Sequence, residues 1–208
     1  MNEELRKLLS SVTIPAIFVG LLWCIKLVEF FTGFDFGFLG VYPRTLAGTI
    51  GIIGTPLVHG GFGHLISNSV PLLFLGAGII YFYPKVAMKF FLRSWLLSGV
   101  ILFIIGRSTT HIGASGVVFA MAFFLFWSGI FRKDKTSMAV SLLVTFFYGS
   151  MIWGLFPIEQ GVSWEGHIAG AIVGTVYAFA YRNVDPPEKL ELEDDPTDGP
   201  EYRTYKYG

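Results

Sequence analysis

A chain of 208 residues with 53% hydrophobic and 14% charged residues and a mean hydropathy of +0.60 is too apolar for a water-soluble domain, so the bilayer is its expected solvent. A formal net charge of zero leaves no electrostatic footprint for nucleic acid, which is not expected as a partner. The single cysteine, Cys24, lies in an apolar run and excludes an intrachain disulfide, a thiol–metal cluster and a redox pair.

In chain order, six stretches are predicted to cross a hydrocarbon core of about 30 Å at about 1.5 Å per helical residue. They cover roughly 11 to 31, 64 to 83, 86 to 105, 113 to 131, 137 to 156 and 166 to 181. Their unbroken apolar runs lack the period-two alternation of barrel strands, so a bundle of six transmembrane helices is expected. Arg6, Lys7, Lys85, Lys89, Arg132, Lys133, Lys135 and Arg182 fall on one side of these spans, Arg44 and Arg107 on the other. The positive-inside rule then places both termini in the cytoplasm. The first span has no small-residue cleavage site and continues into Lys26 and Glu29, which reads as a retained anchor.

Residues 1–10 are expected to be a cytoplasmic N-terminal segment, 11–182 the membrane domain and 183–208 a cytoplasmic tail. Residues 32 to 59 are too apolar for an ordinary loop and are expected in or on the outer interface. From Asp185 onward, Pro186, Pro187, Glu191, Glu193, Asp194, Asp195 and Asp198 give a composition that cannot bury a core, so the tail is expected to be disordered.

With the N-terminus inside, spans two, four and six all run from outside to inside. His64, Ser115 and His167 stand at their N-terminal ends. Counting about 17 residues from Ser115 to Phe131 gives roughly 25 Å of helix, and His167 to Tyr181 gives roughly 22 Å. Asn68 reaches a similar depth, roughly 24 Å above Tyr83, so four polar groups converge on one submerged layer. Each alone has a bland reading, because serine and glycine are common at helix contacts and His or Asn often bridges neighbouring helices. For Gly170 and Gly174 the packing reading is preferred: small residues four apart let span six approach span four and bring His167 to Ser115. His59 precedes the second span and reads as a hydrogen-bonding residue of the outer loop.

Together the four groups supply the parts of acyl transfer. Ser115 offers a hydroxyl, and His167 can take its proton and return it to a departing amine. The N–H of Ser115, at a helix start, is free to face an oxyanion. His64 and Asn68, four residues apart, share a helix face and can add two side-chain donors. Gly113 and Gly116 permit the tight turn and close approach such a serine needs.

These motifs resemble those of the rhomboid intramembrane serine proteases over roughly residues 11 to 182. His64-Leu65-Ile66-Ser67-Asn68 matches the family's His-x-x-x-Asn, Gly113-Ala114-Ser115-Gly116 its Gly-x-Ser-Gly, and His167 with Gly170 and Gly174 its His-x-x-Gly-x-x-x-Gly region. The resemblance implies Ser115 and His167 as a catalytic dyad, with the Ser115 N–H, His64 and Asn68 as the oxyanion hole. It also implies transmembrane proteins as substrates, cleaved in or near their membrane segments without metal or cofactor, and the bacterial cytoplasmic membrane as the location. The rival class is a non-catalytic rhomboid-like protein that binds client transmembrane helices. A solute transporter would need midplane charges and paired broken helices, which the sequence lacks.

Two departures stand out. The first outer loop offers Tyr42-Pro43-Arg44 where many members carry Trp-Arg, and the aromatic four residues after the serine is Phe119, which lacks a phenol hydroxyl but can still stack on His167. Glu165 precedes His167 by two residues, a helical separation of about 200°. A triad is therefore not expected unless a loop conformation restores contact, and Trp164 is expected at the interface with Glu165 in water.

Overall fold

The computed structural model describes residues 2–159 and 161–185. Most of the expected disordered tail, from residue 186 onward, lies outside the described residues. Among the described residues the structure is helical, and paired extended chain is confined to a single antiparallel bridge between Val41 and His111.

Helix α1 spans Glu3–Thr32. It begins within the segment expected to precede the membrane, because the Asn2 side chain accepts the Leu5 N–H at 2.9 Å and Glu3 and Glu4 complement the positive end of the helix. It stops at Gly33. The following segment winds through short turns, one of them the single-turn helix α2 at Gly51–Gly54. This segment docks on the fourth helix, where Trp95 Nε1 donates to the Ile53 carbonyl at 2.8 Å. Helices α3 (Phe62–Phe82) and α4 (Pro84–Ile105) meet at Tyr83, where Pro84 needs no N–H partner in the first turn. Arg44 Nη1 donates to the carbonyls of Ile104 and Gly106 at 2.9 and 2.7 Å, closing the C-terminal end of α4. Tyr42-Pro43-Arg44 thus docks this loop through an arginine.

Helix α5 (Ser115–Arg132) is central, packing against α3, α4, α6 and α7. Asp134 caps α6 (Lys135–Tyr148) by accepting the Ser137 N–H at 2.8 Å. The fifth span was expected to be continuous to residue 156, but the chain tightens into a 3₁₀ segment at Gly149–Leu155. Helix α7 covers Trp164–Ala180. Five segments, α1, α3, α4, α5 and α6 with its 3₁₀ extension, are long and apolar enough to cross a membrane. At 17 residues, or about 26 Å, α7 is the shortest of the six expected spans.

Polarity is distributed as a bilayer requires. Phe74, Leu142 and Phe146 point outward with 70% or more of their surface exposed, whereas Ser94, Ser98, Ser128, Ser137 and Ser141 are buried between helices. The tightest contact joins α5 and α7. A Cβ placed on Gly170 would collide with the Gly116 carbonyl, and one on Gly174 with the Ala120 carbonyl. The preferred packing reading of these glycines holds, and the N-terminal parts of α5 and α7 are thereby pressed together.

Candidate active site

Ser115 is the first residue of α5 and His167 the fourth of α7. Across the close helix contact, His167 Nε2 lies 2.9 Å from Ser115 Oγ. The other ring nitrogen, Nδ1, lies 2.8 Å from the carbonyl of Gly154 in the 3₁₀ segment. A carbonyl only accepts, so Nδ1 carries the proton and Nε2 is left with a lone pair for the serine hydroxyl. The Phe119 ring stacks on the imidazole at a centroid distance of 4.1 Å and an interplanar angle of 7°. Phe119 thus holds the imidazole by stacking, without a phenol. Gly154 is constrained by this arrangement, since a Cβ there would stand 2.9 Å from Phe119 Cζ and 3.1 Å from His167 Nδ1.

The turn before Ser115 depends on glycine as well. Gly113 has φ of +111°, which side-chain-bearing residues rarely adopt, and a Cβ on it would strike the His64 ring at 2.5 to 2.6 Å. His64 and Asn68 therefore flank the serine from the first two turns of α3. Asn68 Nδ2 donates to the His64 carbonyl at 2.8 Å, which leaves one amide hydrogen of Asn68 for another acceptor. His64, Asn68, Ser115 and His167 all line one open cavity of about 1110 Å³, to which Val70 and Pro71 of α3 and Tyr148 and Met151 also contribute. All four residues singled out from the sequence are thus brought together.

His59 hydrogen-bonds as expected, but with partners outside the outer loop. Its Nε2 accepts the Ala114 N–H at 3.3 Å, and its ring meets that of His64 edge-on at 5.1 Å. Lys26 of α1 donates to the His59 carbonyl at 2.9 Å. Burial foremost, then the neighbouring His64 and Lys26, lowers the pKa of His59 from 6.5 to about 4. Protonation would abolish the acceptor that holds Ala114. Because the folded-state pKa lies below the unfolded one, the stabilisation is complete above pH 6.5 and is lost as pH falls from there toward 4. Thermal unfolding scans in detergent should therefore show a midpoint that declines across this window. In His59→Gln, whose amide oxygen can accept the same N–H without titrating, this component of the decline should vanish.

One expectation is corrected. Glu165 does not sit in water: it is 2% exposed and accepts the Arg107 backbone N–H through Oε1 at 3.2 Å. Glu165 forms no triad with His167, in keeping with their helical separation: the ring nitrogens of His167 bond to Ser115 and Gly154. Sequence reasoning missed Gly154 and also His111, a buried cavity-lining histidine. No sequence motif marks either one, because Gly154 contributes only a backbone carbonyl and His111 bonds to Ser163 and Arg107 on distant or irregular segments.

The fold and site define an all-helical, multi-pass membrane protein with a serine–histidine pair in a cavity among its helices. Residues 47–184 match the model of the Rhomboid domain. Uncharacterized proteins of Mycobacterium tuberculosis and Mycobacterium bovis are each 35% identical over 176 residues, which cover 78% of this chain and 71% of theirs. An uncharacterized protein of Mycobacterium leprae is 32% identical over 219 residues, 98% of this chain and 83% of its own length. The chain belongs to the rhomboid family.

Proposed function

We propose that this protein is an intramembrane serine endopeptidase that hydrolyses peptide bonds in or near transmembrane segments of membrane proteins. Its six spans, α7 included, would place both termini in the cytoplasm and the site in the outer part of a bacterial cytoplasmic membrane. The observation that carries the reading is the 2.9 Å contact of Ser115 Oγ with His167 Nε2, in a tautomer set by Gly154. In this mechanism Oγ attacks the scissile carbonyl carbon while His167 takes the hydroxyl proton. The resulting oxyanion is met by the Ser115 N–H, His64 and the spare amide hydrogen of Asn68. Collapse expels the amine, which receives the proton from His167, and a water deprotonated by the same imidazole then hydrolyses the acyl ester. The substrate segment enters between α3 and α6, both of which contribute residues to the cavity lining.

The test is covalent. A serine-directed fluorophosphonate should label purified protein at Ser115, and His167→Ala should eliminate the labelling. Labelling unaffected by His167→Ala rules out the dyad, whereas no specific label in the wild type favours a client-binding protein without chemistry. The oxyanion donors are tested separately. Loss of one such donor typically slows turnover by about 100- to 1,000-fold, so Asn68→Ala and His64→Ala should impair cleavage of a transmembrane substrate in liposomes. Wild-type rates in the double variant would rule the donors out.

A further inference from the structure

We infer that Glu165, through Arg107, is a positioning residue that holds the loop leading to Ser115 against the loop leading to His167; the inference rests on the dyad reading above. Glu165 is 2% exposed, and its Oε1 takes the Arg107 backbone N–H at 3.2 Å and stands 3.7 Å from Arg107 Nε. Its Oε2 is buried with no hydrogen-bond partner among the described residues. A carboxylate removed from water is costly unless paired, and among the described residues its one cation is an arginine whose side chain is 42% exposed. Hydrophobic packing could fill this position without that cost, so the carboxylate's contribution lies in what it holds.

Arg107 is a junction. Its Nη2 donates to the Val162 carbonyl at 2.6 Å, and its own carbonyl lies 3.0 Å from His111 Nε2. That carbonyl can only accept, so Nε2 carries the proton and Nδ1 accepts from the Ser163 hydroxyl, 2.7 Å away. Every bond of this clasp runs between residues 107–111 and residues 162–165 or closes one side of it. Ser115 follows His111 by four residues across the irregular turn at Gly113, and His167 follows Glu165 by two.

The clasp has a counterpart on the other side of the reacting pair. Gly170, three residues beyond His167, is pressed on the Gly116 carbonyl, one residue beyond Ser115. A single close contact lets two helices pivot about it, whereas attachments on both sides of the pair fix its separation. Glu165 itself neither lines the cavity nor bonds to His167, so its effect reaches the chemistry only through this registration.

The decisive variant is Glu165→Gln, which keeps an acceptor for the Arg107 N–H but removes the charge that holds the guanidinium. A displacement of about 1 Å between reacting groups can cost on the order of 100-fold. Fluorophosphonate labelling of Ser115 and kcat should therefore fall by about 10- to 100-fold, with KM for a transmembrane peptide and the thermal midpoint little changed, since a buried charge is also relieved. In parallel, spin labels at Thr109 and Glu159 in a Cys24→Ser background should give a broader distance distribution once Glu165→Gln is added. Wild-type labelling and kcat in the variant, or a distance distribution that does not change, overturns the inference. An unlabelled wild type would instead count against the serine nucleophile, and the spin-label distances would still decide whether the clasp exists.

Discussion

Replacing Ser115 with alanine should abolish cleavage of a transmembrane substrate while leaving the protein folded. The nucleophile and its base act as a unit, and in serine hydrolases loss of either costs on the order of 10⁶ in kcat, which takes turnover below detection here. The structural cost is small. Ser115 contributes one hydroxyl, bonded to the imidazole at 2.9 Å, and the imidazole keeps its Gly154 bond and its stacking on Phe119 without it. The thermal midpoint in detergent should thus stay within a few degrees of wild type. Residual cleavage at a tenth of the wild-type rate would show that another group is the nucleophile.

Gly170→Leu should damage both activity and stability. Even the first carbon of the new side chain would overlap the Gly116 carbonyl, so α7 must move away from α5 at the turn that carries the serine. Separation of the reacting groups by about 1 Å can cost on the order of 100-fold in rate, and overpacking typically costs about 1 to 3 kcal/mol. Cleavage and fluorophosphonate labelling should fall together with the thermal midpoint, in contrast to Ser115→Ala, where activity falls alone. A Gly170→Leu protein that is as active and as stable as wild type would show that this helix contact does not position the pair.

The helices and the meeting of Ser115, His167, His64 and Asn68 were legible because apolar runs mark spans by length and because polar residues at corresponding helix ends have few places to go in lipid. The packing of Gly170 and Gly174 was legible for a related reason: residues four apart share a face, and only glycine permits carbonyl contact. What was not legible depends on irregular backbone. The Gly154 carbonyl that sets the imidazole tautomer is a main-chain atom in a 3₁₀ turn, and the crowding that favours glycine there arises only once Phe119 and His167 have packed against it. Glu165 was placed in water because a carboxylate at a helix start near the interface ordinarily is. Its burial follows from Arg107, which lies 58 residues earlier in the chain and reaches it only after α4 and α7 have packed.

Gly154 also links α6 to the imidazole. The 3₁₀ segment that contains it continues directly from α6, and α6 is tethered at its opposite end, where Tyr83 Oη donates to Ser137 Oγ at 3.1 Å and Ser141 Oγ donates to the Phe126 carbonyl at 2.8 Å. If α6 swings about that tether to admit a substrate, its far end carries the Gly154 carbonyl away from the imidazole. The base would then lose the acceptor that selects its tautomer while the entrance is widest, and regain it as the helix returns. The bundle would act as an interlock, in which proton abstraction is enabled only when the wall behind the substrate has closed.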